Sequence, residues 1–126
     1  MTNAAILNEK KERLFYLLCI LSEFFSRDTA ARNEYLESAN FYKEYDIQIS
    51  RYAELFSICV VHFPDLLPTL HEFRGAISCF RGYFNNYIFH REAGSNESVE
   101  QQCMDKVHES VVDLNRCLNL FVSKLS

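Results

Sequence analysis

The sequence predicts an all-α fold, an antiparallel bundle of four to five helices forming a single domain over residues 1–126, and three observations carry that expectation. Strand and hairpin punctuation is scarce: the only prolines are Pro64 and Pro68, and the only glycines are Gly75, Gly82 and Gly94. Apolar residues recur at spacings of three and four, the repeat that places them on one face of a helix. With 126 residues, 48% of them hydrophobic and 24% charged, the chain is long enough to bury a core without disulfide or metal staples.

A first helix is expected from Asn3 to Phe25, where Leu7, Leu14, Leu18, Leu21 and Phe25 recur at helical spacing. Its run LFYLLCIL, Leu14 to Leu21, is apolar all round. Such a run belongs either to the central helix of a bundle or to a helix whose second face another subunit covers. It is about half as long as the roughly twenty residues of a membrane span. Its flanks, NEKKER and SEFFSRD, mix acid with base and offer no small-residue cleavage site, so it does not read as a secretory signal.

Asp28 is the candidate N-cap of a second helix, with Ala31, Tyr35, Ala39 and Tyr42 on one face and Asn33, Glu37, Asn40 and Glu44 opposite. The period falters in EYDIQIS, Glu44 to Ser50, which predicts a break or kink. A third helix then carries Ile49, Tyr52, Phe56, Cys59, Val60 and Phe63. FPDLLPT ends it, because the first proline cannot continue a helix and the second can open the next, from about Leu67 to Arg91. EAGSNES reads as a loop, with Gly94 as C-terminal cap and Ser95, Asn96 or Ser98 as the next N-cap. In the last helix Val107, Val111, Leu114, Leu118, Phe121 and Leu125 alternate spacings of four and three, the seam of helices that pack at shallow angles.

The stretch FRGAISCFRGYF, Phe73 to Phe84, repeats Phe-Arg-Gly one heptad apart. On a helical wheel Phe73, Ala76, Ile77, Phe80, Tyr83, Phe84 and Tyr87 form a core side. Gly75, Cys79, Gly82 and Asn86 lie nearly opposite, and Arg74, Ser78, Arg81 and Asn85 form a strip beside them. Between Leu70 and Arg91 three arginines face a single Glu72. Each helical glycine costs roughly 0.5 to 1 kcal/mol relative to alanine, so an outward pair asks for a reason. The pair marks either tolerated solvated positions, a close helix contact such as a dimer face, or a site where arginine forks take a small anion. The candidate binding residues are Arg74, Gly75, Ser78, Arg81 and Gly82. Tyr35 and Tyr42 join them, with Tyr45, as either core-rim tyrosines with hydroxyls in water or part of a mixed aromatic and polar pocket. Tyr52 and Glu54 contribute to that pocket if the chain kinks at Asp46.

The net charge of -4 argues against a nucleic-acid partner. Cys19, Cys59, Cys79, Cys103 and Cys117, odd in number and set in apolar stretches, read as reduced buried thiols of a cytoplasmic protein. No cofactor, metal or catalytic residue is expected. The metal-like spacings Cys59–His62 and Asp105–His108 read as core and as a solvated face, respectively, and no P-loop, Rossmann or helix-turn-helix pattern occurs. The expected function is a non-enzymatic interaction module that self-associates as a homodimer and binds another protein. The alternative is a small-molecule sensor with an interhelical aromatic pocket for an anionic or aromatic ligand.

Overall fold

Backbone chemistry divides the chain where the prolines and Gly94 stand. The computed structural model describes residues 3–25 and 38–125, the side chains of 38–40 excepted. Four α-helices run through them: α1 Asn3–Phe24, α2 Ser38–His62, α3 Leu67–Glu92 and α4 Glu97–Leu125, with a 3-10 turn at Pro64–Leu66. Asp28, Ala31, Asn33, Tyr35 and Glu37, and with them the proposed cap and most of the face they were expected to build, lie outside the described residues.

At the α2–α3 junction Pro64 opens the 3-10 turn and Pro68 falls in the first turn of α3, where its missing N–H is not needed. At the α3–α4 junction Gly94 takes φ 72°. Its N–H donates to the Arg91 carbonyl at 3.3 Å, and the Ser95 N–H donates to the His90 carbonyl at 3.0 Å, the paired bonds of a Schellman motif. Asn96 is the N-cap of α4, its Oδ1 accepting from the Val99 N–H at 2.9 Å.

Successive helices are antiparallel. Phe24 meets Phe41 while Arg13 meets Glu54, which runs α1 against α2. Phe41 stacks on Phe84 while Tyr52 meets Phe73, which runs α2 against α3. Asn86 donates to Cys103 Sγ near the α3–α4 turn and Lys124 donates to Thr69 at the far end. Asn115 of α4 donates to the Phe25 carbonyl and so satisfies the C-terminal end of α1. One core joins all four helices: Phe25, Phe41, Phe80 and Phe84 pack ring on ring, and Leu14, Leu17, Leu18 and Leu21 of α1 and Leu114, Leu118 and Phe121 of α4 belong to the same cluster.

Several expectations need correction. There is no break at Glu44–Ser50: α2 is continuous there. Its buried seam is Phe41, Tyr45, Gln48, Tyr52, Leu55 and Cys59, an unbroken alternation of fours and threes in which a polar residue takes one core place. Gln48 is 4% exposed, with Oε1 accepting from Arg51 Nη1 at 3.0 Å, while its apolar neighbours Ile47 and Ile49 face outward. Tyr83, expected in the core, is 41% exposed because Phe84 and Tyr87 already fill the buried side of that turn. Leu7 is exposed, since the α1 seam begins at Leu14. In place of an enclosed central helix, α1 leaves Tyr16 55% exposed, and Cys19 and Cys79 are exposed rather than buried thiols.

Candidate functional site

Between α2 and α3 opens a groove of about 670 Å³. From α2 come Tyr45, Ile49, Tyr52, Ala53, Phe56 and Ser57; from α3 come Arg74, Ile77, Ser78, Arg81, Gly82 and Asn85. Tyr45, Tyr52 and Ile77 are buried and form the floor, and the two walls differ in character. The α2 wall is apolar, through Ile49, Ala53 and Phe56. The α3 wall is the polar strip of Arg74, Ser78, Arg81 and Asn85, which the helical wheel places beside the core side.

Of the two arginines, Arg81 is held over aromatic surface and not over an acid. The Arg81 guanidinium lies 5.4 Å from the centre of the Tyr45 ring, a cation–π contact. Among the described residues neither Arg74 nor Arg81 forms an ion pair. Tyr42 donates its hydroxyl to Asn85 Oδ1 at one end of the groove, and Tyr52 donates to the Leu70 carbonyl at 3.4 Å. Burial raises the phenols of Tyr42, Tyr45 and Tyr52 above their ordinary value. The positive charge of Arg81 opposes the rise at Tyr42 and Tyr45, and that of Arg74 opposes it at Tyr52. The groove is therefore a half-apolar, positively charged trough with phenols that stay neutral.

Of the residues singled out in the sequence, Arg74, Ser78, Arg81 and Gly82 come together on one wall. Gly75 does not line the groove. A Cβ at Gly75 or Gly82 would meet nothing within 4 Å, so nothing in the described chain requires either glycine. Tyr42 reaches the groove only through Asn85, and Tyr35 lies outside the described residues. Glu54 belongs elsewhere. It accepts from Arg13 Nε and Nη2 at 2.6 and 2.8 Å, an exposed pair in which each group holds the other charged.

Ile49 and Phe56 are the groove residues whose role sequence reasoning missed. The sequence alone reads Ile49, Tyr52, Phe56, Cys59, Val60 and Phe63 as one helical run, yet Ile49, Ala53, Phe56 and Val60 form a second stripe with its own spacing of four, three and four. Cys59 is fully buried, its thiol pushed up to about 11 by burial. Asp105 is exposed and His108 half-buried, its Nε2 shielded from solvent without a hydrogen-bond partner among the described residues. Among the described residues no three His, Cys, Asp or Glu side chains converge to hold a metal, and no helix is long and apolar enough to cross a membrane. No protein-family profile matches the sequence, and comparison with curated proteins and with solved structures gives no match.

Proposed function

We propose that the chain is a non-enzymatic binding module whose recognition surface is the α2–α3 groove, and that its ligand is anionic with an apolar face. The observation that carries this reading is the pairing of an apolar wall, Ile49, Ala53 and Phe56, with a wall holding two arginines that have no acidic partner among the described residues. Ligand sites are commonly concave, largely apolar and oriented by a few polar groups, and this volume lies in their range. An arginine held over a ring is already desolvated on one side, so pairing it with an anion costs less hydration.

Anilinonaphthalene sulfonate, an aromatic anion, tests the reading. Its fluorescence should rise on binding, and amide shifts in a nuclear magnetic resonance titration should concentrate at Ile49, Ala53, Phe56, Ser78 and Asn85. Replacing Arg74 and Arg81 by alanine should weaken binding by about tenfold or more, the scale of one charge-assisted hydrogen bond. Shifts on another face, or binding unchanged in the double variant, would count against the groove.

Self-association is a second reading, favoured by one observation: Tyr16 and Cys19 of the LFYLLCIL run are exposed, an apolar surface that a second copy would cover. Sedimentation equilibrium at micromolar concentration decides it, a monomer mass rejecting the dimer. The five free thiols, two of them exposed, support a reducing, cytoplasmic setting.

A further inference from the structure

Both walls of the groove repeat with one period. On α2, Ile49, Ala53 and Phe56 line the groove and Val60 continues the stripe, at spacings of four, three and four. On α3, Arg74, Ser78, Arg81 and Asn85 follow the same spacings. This is the repeat by which one helix meets another that lies nearly parallel to it. The lining runs from Tyr45 to Ser57 and from Arg74 to Asn85, about three helical turns or ~17 Å of length. Arg74 and Arg81 stand about 10 Å apart along the axis at ~1.5 Å per residue. Carboxylates seven residues apart on a facing helix rise by the same amount. Ala53, Ser57, Ser78 and Gly82 keep the walls low, so the backbone of an occupant can approach closely.

We infer that the groove docks an acidic amphipathic helix of another protein, with its apolar stripe on Ile49, Ala53 and Phe56 and two carboxylates, seven residues apart, on Arg74 and Arg81. The inference rests on the groove reading above and deepens it by naming the occupant's chemistry. Charge complementarity selects this occupant: the cationic wall belongs to a chain of net charge -4, and its arginines lack acids of their own among the described residues. Laying a helix with i, i+3, i+4 and i+7 anchors into such a trough is a recurring recognition mode. On α4 the outward acids Glu109 and Asp113 are spaced by four, not seven, and already pair with Lys106 and Arg116, so they do not supply the spacing the arginines ask for.

The test uses a designed peptide of roughly twenty residues, long enough to hold a helix, with a leucine stripe and two glutamates seven residues apart on its flank. A control peptide of the same composition carries the glutamates on the opposite face. Fluorescence anisotropy at low salt should give at least about tenfold tighter binding for the first peptide. The exposed substitution Arg81→Glu, checked for retained helicity, should abolish that preference, and exchanging the facing glutamate of the peptide for lysine should restore it. Equal binding of both peptides, or no rescue by the exchanged pair, overturns the inference. If anilinonaphthalene sulfonate still maps to the groove in that case, the helix reading falls while the groove stands; if the probe maps elsewhere, both fall. A chain that sediments as a dimer and becomes monomeric on Arg81→Glu makes the occupant a second copy and likewise overturns the inference.

Discussion

Gly75 and Gly82 occupy helical positions where an added Cβ would touch nothing, so their cost in chain entropy is not offset by any contact within the described chain. Gly75→Ala and Gly82→Ala should each stabilise the protein by about 0.5–1 kcal/mol, measured as a shift of the urea midpoint at constant slope. Because Gly82 lines the groove and Gly75 does not, only Gly82→Ala should also weaken groove ligands. Gly94 is the opposite case. Its φ of 72° strains any residue with a Cβ, and Gly94→Ala should destabilise by roughly 1–2 kcal/mol. Gln48 shows how one side chain can mislead: it is buried and its amide oxygen accepts from Arg51, so a polar letter stands in a core seam.

The seam through Gln48 makes α2 one helix of 25 residues with two working faces. One face packs on α1 and α3 through Phe41, Tyr45, Tyr52 and Leu55. The other, from Ile49 to Phe56, is the apolar wall of the groove. A proline in the middle of EYDIQIS separates a continuous helix from a kinked one. In a continuous helix Asp46→Pro removes a backbone hydrogen bond and clashes with the preceding turn, costing about 3 kcal/mol or more, whereas a natural break would tolerate it. Thermal unfolding followed by circular dichroism should show that loss. The α3–α4 hairpin depends on its turn, where the Schellman bonds and the Asn96 cap satisfy the ends of both helices.

For the molecule as a whole, burial shifts titrations in one direction. Cys59 is raised to about 11 from 9.0, and Tyr42, Tyr45, Tyr52 and Cys117 are raised from their ordinary values. In each case the folded state keeps a proton that the unfolded chain has released. The resulting stability is complete below the unfolded value and is lost as pH climbs through the folded one. Stability should therefore decline from about pH 9 upward, each group contributing at most about 1.4 kcal/mol per pH unit. Urea midpoints from pH 8 to 11 should trace this limb, and Cys59→Ala should make it shallower by one proton between pH 9 and 11. Thiol reagents at pH 8 should modify exposed Cys19 and Cys79 quickly, and buried Cys59, Cys103 and Cys117 only on unfolding.

Helix formation was legible because its signals are local. Hydrogen bonds between residues four apart, proline at a first turn and glycine at a left-handed cap all act within a few positions, which is why the Pro64–Pro68 junction, the Gly94 turn, the last helix and the outward strip Arg74, Ser78, Arg81 and Asn85 could be read directly. Burial is not local. Whether Gln48 or Ile49 takes the core place depends on side chains more than twenty positions away that periodicity alone cannot see. The groove is the extreme case, since it is the space left where two antiparallel helices meet through Phe41–Phe84 and Tyr52–Phe73 but part at Ile49 and Arg81. The arginine wall is written in α3, but the apolar wall facing it exists only because packing turns the second stripe of α2 toward it.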